Sequence, residues 1–140
     1  MQLQVGVKAL LRNLEGKFLL LERNMEKYPD VAHNQRWDIV GGRIEPGTLL
    51  LENLERELFE ETGLKLHGKP KVVAAQDILT TGGRHIVRIT YVSETLGGEV
   101  KLDEDHQDYK WLTIEEIRGL DGLDGYFKEL LDSGILKTYL

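Results

Sequence analysis

Gly41-Gly42-Arg43-Ile44-Glu45-Pro46-Gly47-Thr48 runs into a leucine-spaced stretch that closes on Arg56-Glu57-Leu58-Phe59-Glu60-Glu61-Thr62-Gly63-Leu64. Paired glycines permit backbone angles and close approaches that side chains would block, and Pro46-Gly47 sets a second tight turn. From Leu49 to Thr62, leucines recur at 50, 51, 54 and 58, a helical spacing, and Gly63 follows as a left-handed stop. Thr48 is expected to cap this helix, since Leu49 has no side-chain acceptor. At about 100° per residue, Glu57, Glu60 and Glu61 fall within an arc of roughly 100°, beside the arc of Leu50, Leu54 and Leu58. The leucines lean on a core, and three carboxylates sit at the edge of that contact.

Like charges three and four residues apart cost a helix only about 0.2–0.5 kcal/mol per pair, so a solvated acidic face is one reading of the stripe. A divalent-cation site is the other. Oxygen ligands on successive turns suit Mg²⁺, with Mn²⁺ as the alternative, and leave coordination positions for water and phosphate oxygens. The glycine turn immediately before the helix favours the second reading, because it lets a ligand approach the backbone there. Glu45 and Glu52 are nearby acids, but Glu52 points away from the stripe.

Read from Gly42, the stretch resembles the Nudix box, G-x5-E-x7-R-E-U-x-E-E-x-G-U with U a bulky aliphatic. Gly42, Arg56, Glu57, Leu58, Glu60, Glu61, Gly63 and Leu64 match eight of its nine fixed positions, and Thr48 stands where the pattern has its first glutamate. Trp37 before the glycines and Tyr109-x-Trp111-Leu112 before a helix resemble flanking features of the same family. The resemblance implies an α/β/α sandwich around a mixed, strongly twisted sheet. It further implies hydrolysis, by water, of a pyrophosphate bond in a nucleoside diphosphate linked to another moiety X. Glu57, Glu60 and Glu61 become the main metal ligands, and Asp105, six residues before Trp111, a fourth candidate in a facing loop. Arg56 takes an orienting role, consistent with its position four residues before Glu60. The general base is one glutamate of the stripe or Asp105. Thr48 cannot supply the missing carboxylate's charge, so altered metal affinity is expected, and a nucleotide-binding domain without turnover is the alternative function. Val40 also replaces a common proline, which affects the stiffness of the loop.

Outside the box, apolar alternation or short apolar blocks predict strands at Val5 to Leu11, Phe18 to Leu21, Val72 to Ile78 and Ile86 to Glu94. A second helix is expected from Thr113, with Glu116 completing a capping box, and a third from Tyr126 to about Leu136. Asn24 to Arg36 is a polar stretch longer than most connections, and such loops are usually functional or mobile. Thr80 to Gly83 and Gly97-Gly98 read as turns. Gly41, Gly42, Arg43 and Trp37 are the candidate substrate contacts, with Tyr28 and Arg84 as further candidates for clamping a base. For Trp37 a core position, and for Arg43 a plain surface position, is the competing reading.

The 140 residues suit a single domain, residues 1–140, with one sizeable core. No cysteine is present, which excludes disulfides, thiolate metal sites and thiol nucleophiles. A net charge of −6 disfavours long nucleic acids while leaving a small nucleotide substrate open through a bridging cation. No window has the length of a membrane span, and the first residues lack a secretory pattern, so a cytoplasmic location is expected. The four histidines show no metal-ligand spacing, and neither a P-loop nor a nucleophile elbow occurs. Homodimers are frequent in the family resembled, so a homodimer is admitted as a partner.

Overall fold

The computed structural model describes residues 1–140. Its strands are β1 (Gln2–Arg12), β2 (Phe18–Arg23), β3 (Trp37–Asp38), β4 (Val40–Arg43), β5 (His67–Leu79), β6 (Arg84–Glu94) and β7 (His106–Leu112). The helices are α1 (Leu50–Thr62), α2 (Ile114–Arg118) and α3 (Gly125–Ser133). All four expected strands are present and longer than their apolar blocks. β7 was not anticipated, because its His-Gln-Asp-Tyr-Lys run is largely exposed and it pairs only with β2.

β1 organises the sheet. Along its whole length it lies parallel to β6, from Gln2 opposite Arg84 to Arg12 opposite Glu94, and β5 completes that side antiparallel to β6. On its other side β1 pairs antiparallel with β4 only from Gly6 to Ala9, and meets β2 at Arg12 opposite Phe18. β2 carries β3 and β7. The mixed sheet therefore opens into two leaves beside β1, and the gap between them becomes the site.

Side chains alternate across the strands and so load two faces. From β1 and β2, Leu10, Phe18 and Leu20 join Trp37 and Ile39 against Ile117 of α2 and Phe127, Leu130 and Leu131 of α3. Their neighbours in sequence, Leu11, Leu19 and Leu21, turn the other way onto Leu58 of α1, while Val7 and Ala9 receive Leu54. Helices on both faces of one mixed sheet make the α/β/α sandwich. Leu54 and Leu58 are completely buried, each contributing about 1.5–3 kcal/mol by leaving water. None of the helices is long and apolar enough to cross a membrane.

Two helix boundaries differ from expectation. Leu49, not Thr48, occupies the N-cap position of α1, and it makes no side-chain cap. The Thr48 hydroxyl instead donates to the Glu45 carbonyl at 2.6 Å and accepts from Asn53 Nδ2 at 2.6 Å. Asn53, fully enclosed one turn into the helix, also donates to the Leu49 carbonyl and accepts from the Glu45 amide. One buried amide thus ties the turn before the helix to its first turn, and the N–H groups of that first turn receive no side-chain cap. At the other end α1 stops where expected, with Gly63 left-handed at φ 74° and its N–H bonded to the Phe59 carbonyl. α3 ends at Ser133 rather than near Leu136, because Gly134 takes φ 75° and reverses the chain. Its cap is Asp124, which accepts from the Phe127 amide. The capping box of Thr113 and Glu116 on α2 forms as expected.

Candidate active site

Two adjoining recesses occupy the gap between the leaves. The first, about 310 Å³, brings together Glu57, Glu60 and Glu61 of α1, Gly41 and Gly42 of β4, and Asp105 from the facing loop. The second, about 510 Å³, shares Gly41 and Gly42 and extends over Gly6, Ile78 and Ile86 toward Arg43 and Arg84.

Close approach explains the glycines. Gly41 has φ +140°, and a Cβ there would fall 2.0 Å from the Val7 carbonyl oxygen of β1. A Cβ on Gly42 would lie 2.8 Å from Glu57 Oε2, so the space a side chain would fill is taken by the Glu57 carboxylate. The backbone pairing of β4 with β1 and the seating of the first stripe glutamate depend on the same dipeptide.

The three carboxylates are not equivalent. Glu61 is 5% exposed, and its Oε2 has no hydrogen-bond partner. Burial pushes its carboxyl well above the ordinary range; Lys8 opposes that shift, while the neighbouring Glu57 and Asp103 reinforce it. Glu57 is largely enclosed and Glu60 is 56% exposed. Arg56 binds Glu60 at 3.2 Å, Glu57 at 3.3 Å and Asn53 Oδ1 at 3.1 Å, and Glu45 lies 3.8 Å away. It lines neither recess and meets Glu57 and Glu60 from outside them.

Asp105 faces the first recess, but its Oδ1 accepts from Lys27 Nζ at 2.7 Å and from the Tyr28 hydroxyl at 2.8 Å. Those two hydrogen bonds, Lys27 first, hold its carboxyl below the ordinary value. Two residues of the long polar loop are thereby fastened to the acidic loop. His106 also enters the recess. Its Nδ1 pairs with Asp103 at 2.7 Å, and its Nε2 lies 3.7 Å from Glu61 Oε1.

Trp37 is not among the recess-lining residues. It is 5% exposed within the core beneath α3, with Lys110 Nζ 5.0 Å from its ring centroid. The expected substrate contact is replaced by a packing role. Arg43 borders the second recess rather than the first, together with Arg84, whereas Tyr28 borders the first.

Sequence reasoning missed a buried polar group between the recesses. Asp38 receives a bidentate pair from Arg88 at 2.9 and 3.0 Å and an ion pair from Lys8 at 3.1 Å. Arg88 also reaches Asp124 at 3.3 Å. Burial alone would raise the Asp38 carboxyl, but Arg88 and then Lys8 hold it well below the ordinary range. Burial and the nearby charge of Asp38 raise Asp124. A signal existed: Lys8 interrupts Val5-Gly6-Val7-Lys8-Ala9-Leu10, and Arg88 interrupts Ile86-Val87-Arg88-Ile89, as charges in otherwise apolar strands.

A hard divalent cation fits the donor chemistry of the first recess: the ligands are carboxylate oxygens, and one of them, Glu61 Oε2, is buried without a partner. No three Asp, Glu or His side chains already surround a common point, so joint coordination requires rotation. The exposed Glu60 side chain has the most freedom to move.

A family model described as NUDIX domain matches residues 2–131. Nucleoside triphosphatase NudI of Escherichia coli is 33% identical over 91 residues, covering 59% of this chain and 64% of that protein. The match therefore spans less than two thirds of the relative's length. Among solved structures, the MutT protein from Methanosarcina mazei superposes with a TM-score of 0.81 at 28% identity, over 99% of this chain and 97% of that one. The Escherichia coli ORF135 protein gives 0.77 at 26% identity, over 99% and 94% of the two chains.

Proposed function

The chain belongs to the NUDIX domain family, and from that footing we propose that it hydrolyses a pyrophosphate bond in a nucleoside diphosphate linked to a moiety X. The products are a nucleoside monophosphate and phosphorylated X. The observation that carries the reading is that Glu57, Glu60 and Glu61 all border one recess, with Glu57 largely enclosed and Glu61 Oε2 buried and unpartnered. A solvated acidic face would leave Glu57 and Glu61 in water as it does Glu60.

Glu57, Glu60 and Glu61, with Asp105 in the facing loop, would hold Mg²⁺ or Mn²⁺. When bound, such an ion supplies positive charge against the phosphoryl oxygens and acidifies water. The chain's own groups do the rest. Gly41 lets β4 close on β1 and Gly42 makes room for the Glu57 carboxylate at the edge of the recess, and Arg56 pairs with Glu57 and Glu60. Water attacks phosphorus, and its proton passes to a carboxylate oxygen of the glutamate stripe. Glu61 Oε2 is one such oxygen, buried without a partner, and Asp105, whose Oδ1 is engaged by Lys27 and Tyr28, offers its Oδ2 as the alternative acceptor. The second recess receives the remainder of the substrate, with Arg43 and Arg84 at its rim. A single domain acting on a small nucleotide in the cytoplasm, as monomer or homodimer, accords with this reading.

The relative named a nucleoside triphosphatase makes nucleoside triphosphates the first class to assay, followed by nucleotide sugars and dinucleoside polyphosphates. Metal-dependent release of a nucleoside monophosphate is the expected result. Tight binding with no product from any of these would replace the hydrolase with a nucleotide-binding domain, the outcome that the neutral Thr48 motivates.

A further inference from the structure

Lys8 stands where the two recesses meet and borders both. Its side chain is only 17% exposed, so water screens its charge poorly. The Nζ touches three oxygens, none closely: the Ile39 carbonyl at 3.3 Å, the Gly41 carbonyl at 3.2 Å and Asp38 Oδ2 at 3.1 Å. Asp38 is not a dedicated counter-ion, because Arg88 already binds both of its oxygens. Arg23 also borders both recesses, but it is exposed, and its close neighbour is the Tyr28 ring.

We propose, building on the hydrolase reading, that Lys8 is a substrate contact, the cation that binds a non-bridging oxygen of the pyrophosphate as it crosses from the first recess into the second. The carboxylates lie on α1 and the ammonium on β1, so the pyrophosphate is held between the acidic stripe and a fixed positive charge. On binding, the donor now spent on the distant Ile39 carbonyl turns to the phosphoryl oxygen, a shorter and charge-assisted hydrogen bond. The contacts to Gly41 and Asp38 remain and keep the ammonium at the junction. The same contacts make Lys8 sensitive to the glycine turn, so substrate is felt by the backbone segment that seats Glu57.

The probe is imidodiphosphate, a pyrophosphate analogue that resists hydrolysis, titrated calorimetrically in Mg²⁺ against wild type, Lys8→Met and Lys8→Arg. Lys8→Met is expected to weaken binding roughly tenfold or more, and Lys8→Arg to recover most of it. With substrate, KM should rise more than kcat falls, a split that a merely structural residue would not produce. Equal affinity in wild type and Lys8→Met overturns the assignment while leaving the hydrolase reading intact. Wild type that binds no imidodiphosphate, and releases no monophosphate from substrate, overturns the hydrolase reading itself. Should Lys8→Met fail to fold, the ¹⁵Nζ resonance of Lys8 in wild type decides: a shift on saturation supports the contact, and an unmoved resonance refutes it.

Discussion

A Cβ placed on Gly42 would lie 2.8 Å from Oε2 of Glu57, so the glycine of β4 and the glutamate of α1 occupy each other's space. The obstacle at Gly42 is the tip of a side chain, whereas at Gly41 it is the Val7 backbone at 2.0 Å, with φ at +140° in addition. The two glycines should therefore fail differently. Gly41→Ala is expected to destabilise the fold by about 3 kcal/mol or more. Gly42→Ala should keep near-normal stability while displacing Glu57 and lowering turnover about 10²-fold. Urea denaturation beside steady-state rates separates the two, and equal losses of stability would contradict the argument.

Glu61→Gln should separate stability from activity. Burial raises the Glu61 carboxyl in the folded protein, so between the ordinary value of 4.5 and that raised value the native state binds more protons than the unfolded chain. Stability of the metal-free protein then falls as pH rises through this window, and the penalty is complete above it. The amide removes the buried charge. Metal-free Glu61→Gln should melt higher than wild type at neutral pH and lose that advantage near pH 4, while hydrolysis drops by about 10²–10⁴.

Asp38→Asn leaves Arg88 buried with an amide in place of its bidentate partner, and removal of one member of such a pair costs about 3–5 kcal/mol. The pH dependence has the opposite sign to that of Glu61. Asp38 is held below its ordinary value of 3.8, so its contribution is complete above that pH and is lost as acid titrates the folded carboxyl. Acid unfolding of wild type and Asp38→Asn should converge at low pH. An offset that persists unchanged in acid would show that the ionised carboxylate is not its source, and no offset at neutral pH would show that the pair contributes little.

Thr48→Glu should return a carboxylate to the position that the family pattern gives to glutamate. The hydroxyl it replaces bonds Asn53 and Glu45, so a small loss of stability, about 1 kcal/mol, is expected. The added charge near Arg56 and the stripe should lower the Mg²⁺ concentration for half-maximal rate by about three- to tenfold, since affinity follows ligand charge. An unchanged metal requirement would remove Thr48 from the account of metal affinity.

How much the sequence disclosed follows from how local each feature is. The stripe of Glu57, Glu60 and Glu61 and the stop at Gly63 depend on contacts three to six residues apart, and these were readable from helical period and glycine placement. The group of Lys8, Asp38, Arg88 and Asp124 was not. Its members come from β1, β3, β6 and the cap of α3, and nothing in the neighbourhood of any one of them names the others. Trp37 was open to two readings, a substrate contact and a core position, and only its packing against Phe127, Leu130 and Leu131 of α3 decides for the core. β7 escaped because an edge strand needs backbone partners rather than apolar side chains. His106 reaches Glu61 through tertiary proximity, which no ligand-spacing rule could reveal.

The pairing of β1 with β6 has a consequence for assembly in time. Arg12 and Glu94, joined at one end of the ladder, are 82 residues apart in the chain. A nascent polypeptide leaving the ribosome would carry Lys8 and its apolar neighbours without their principal hydrogen-bonding partner until more than half of the domain had emerged. Closure of so long a loop is entropically slow, and the waiting strand offers a bare edge to other chains. Chaperone dependence and aggregation during synthesis should therefore concentrate in the interval before β6 emerges.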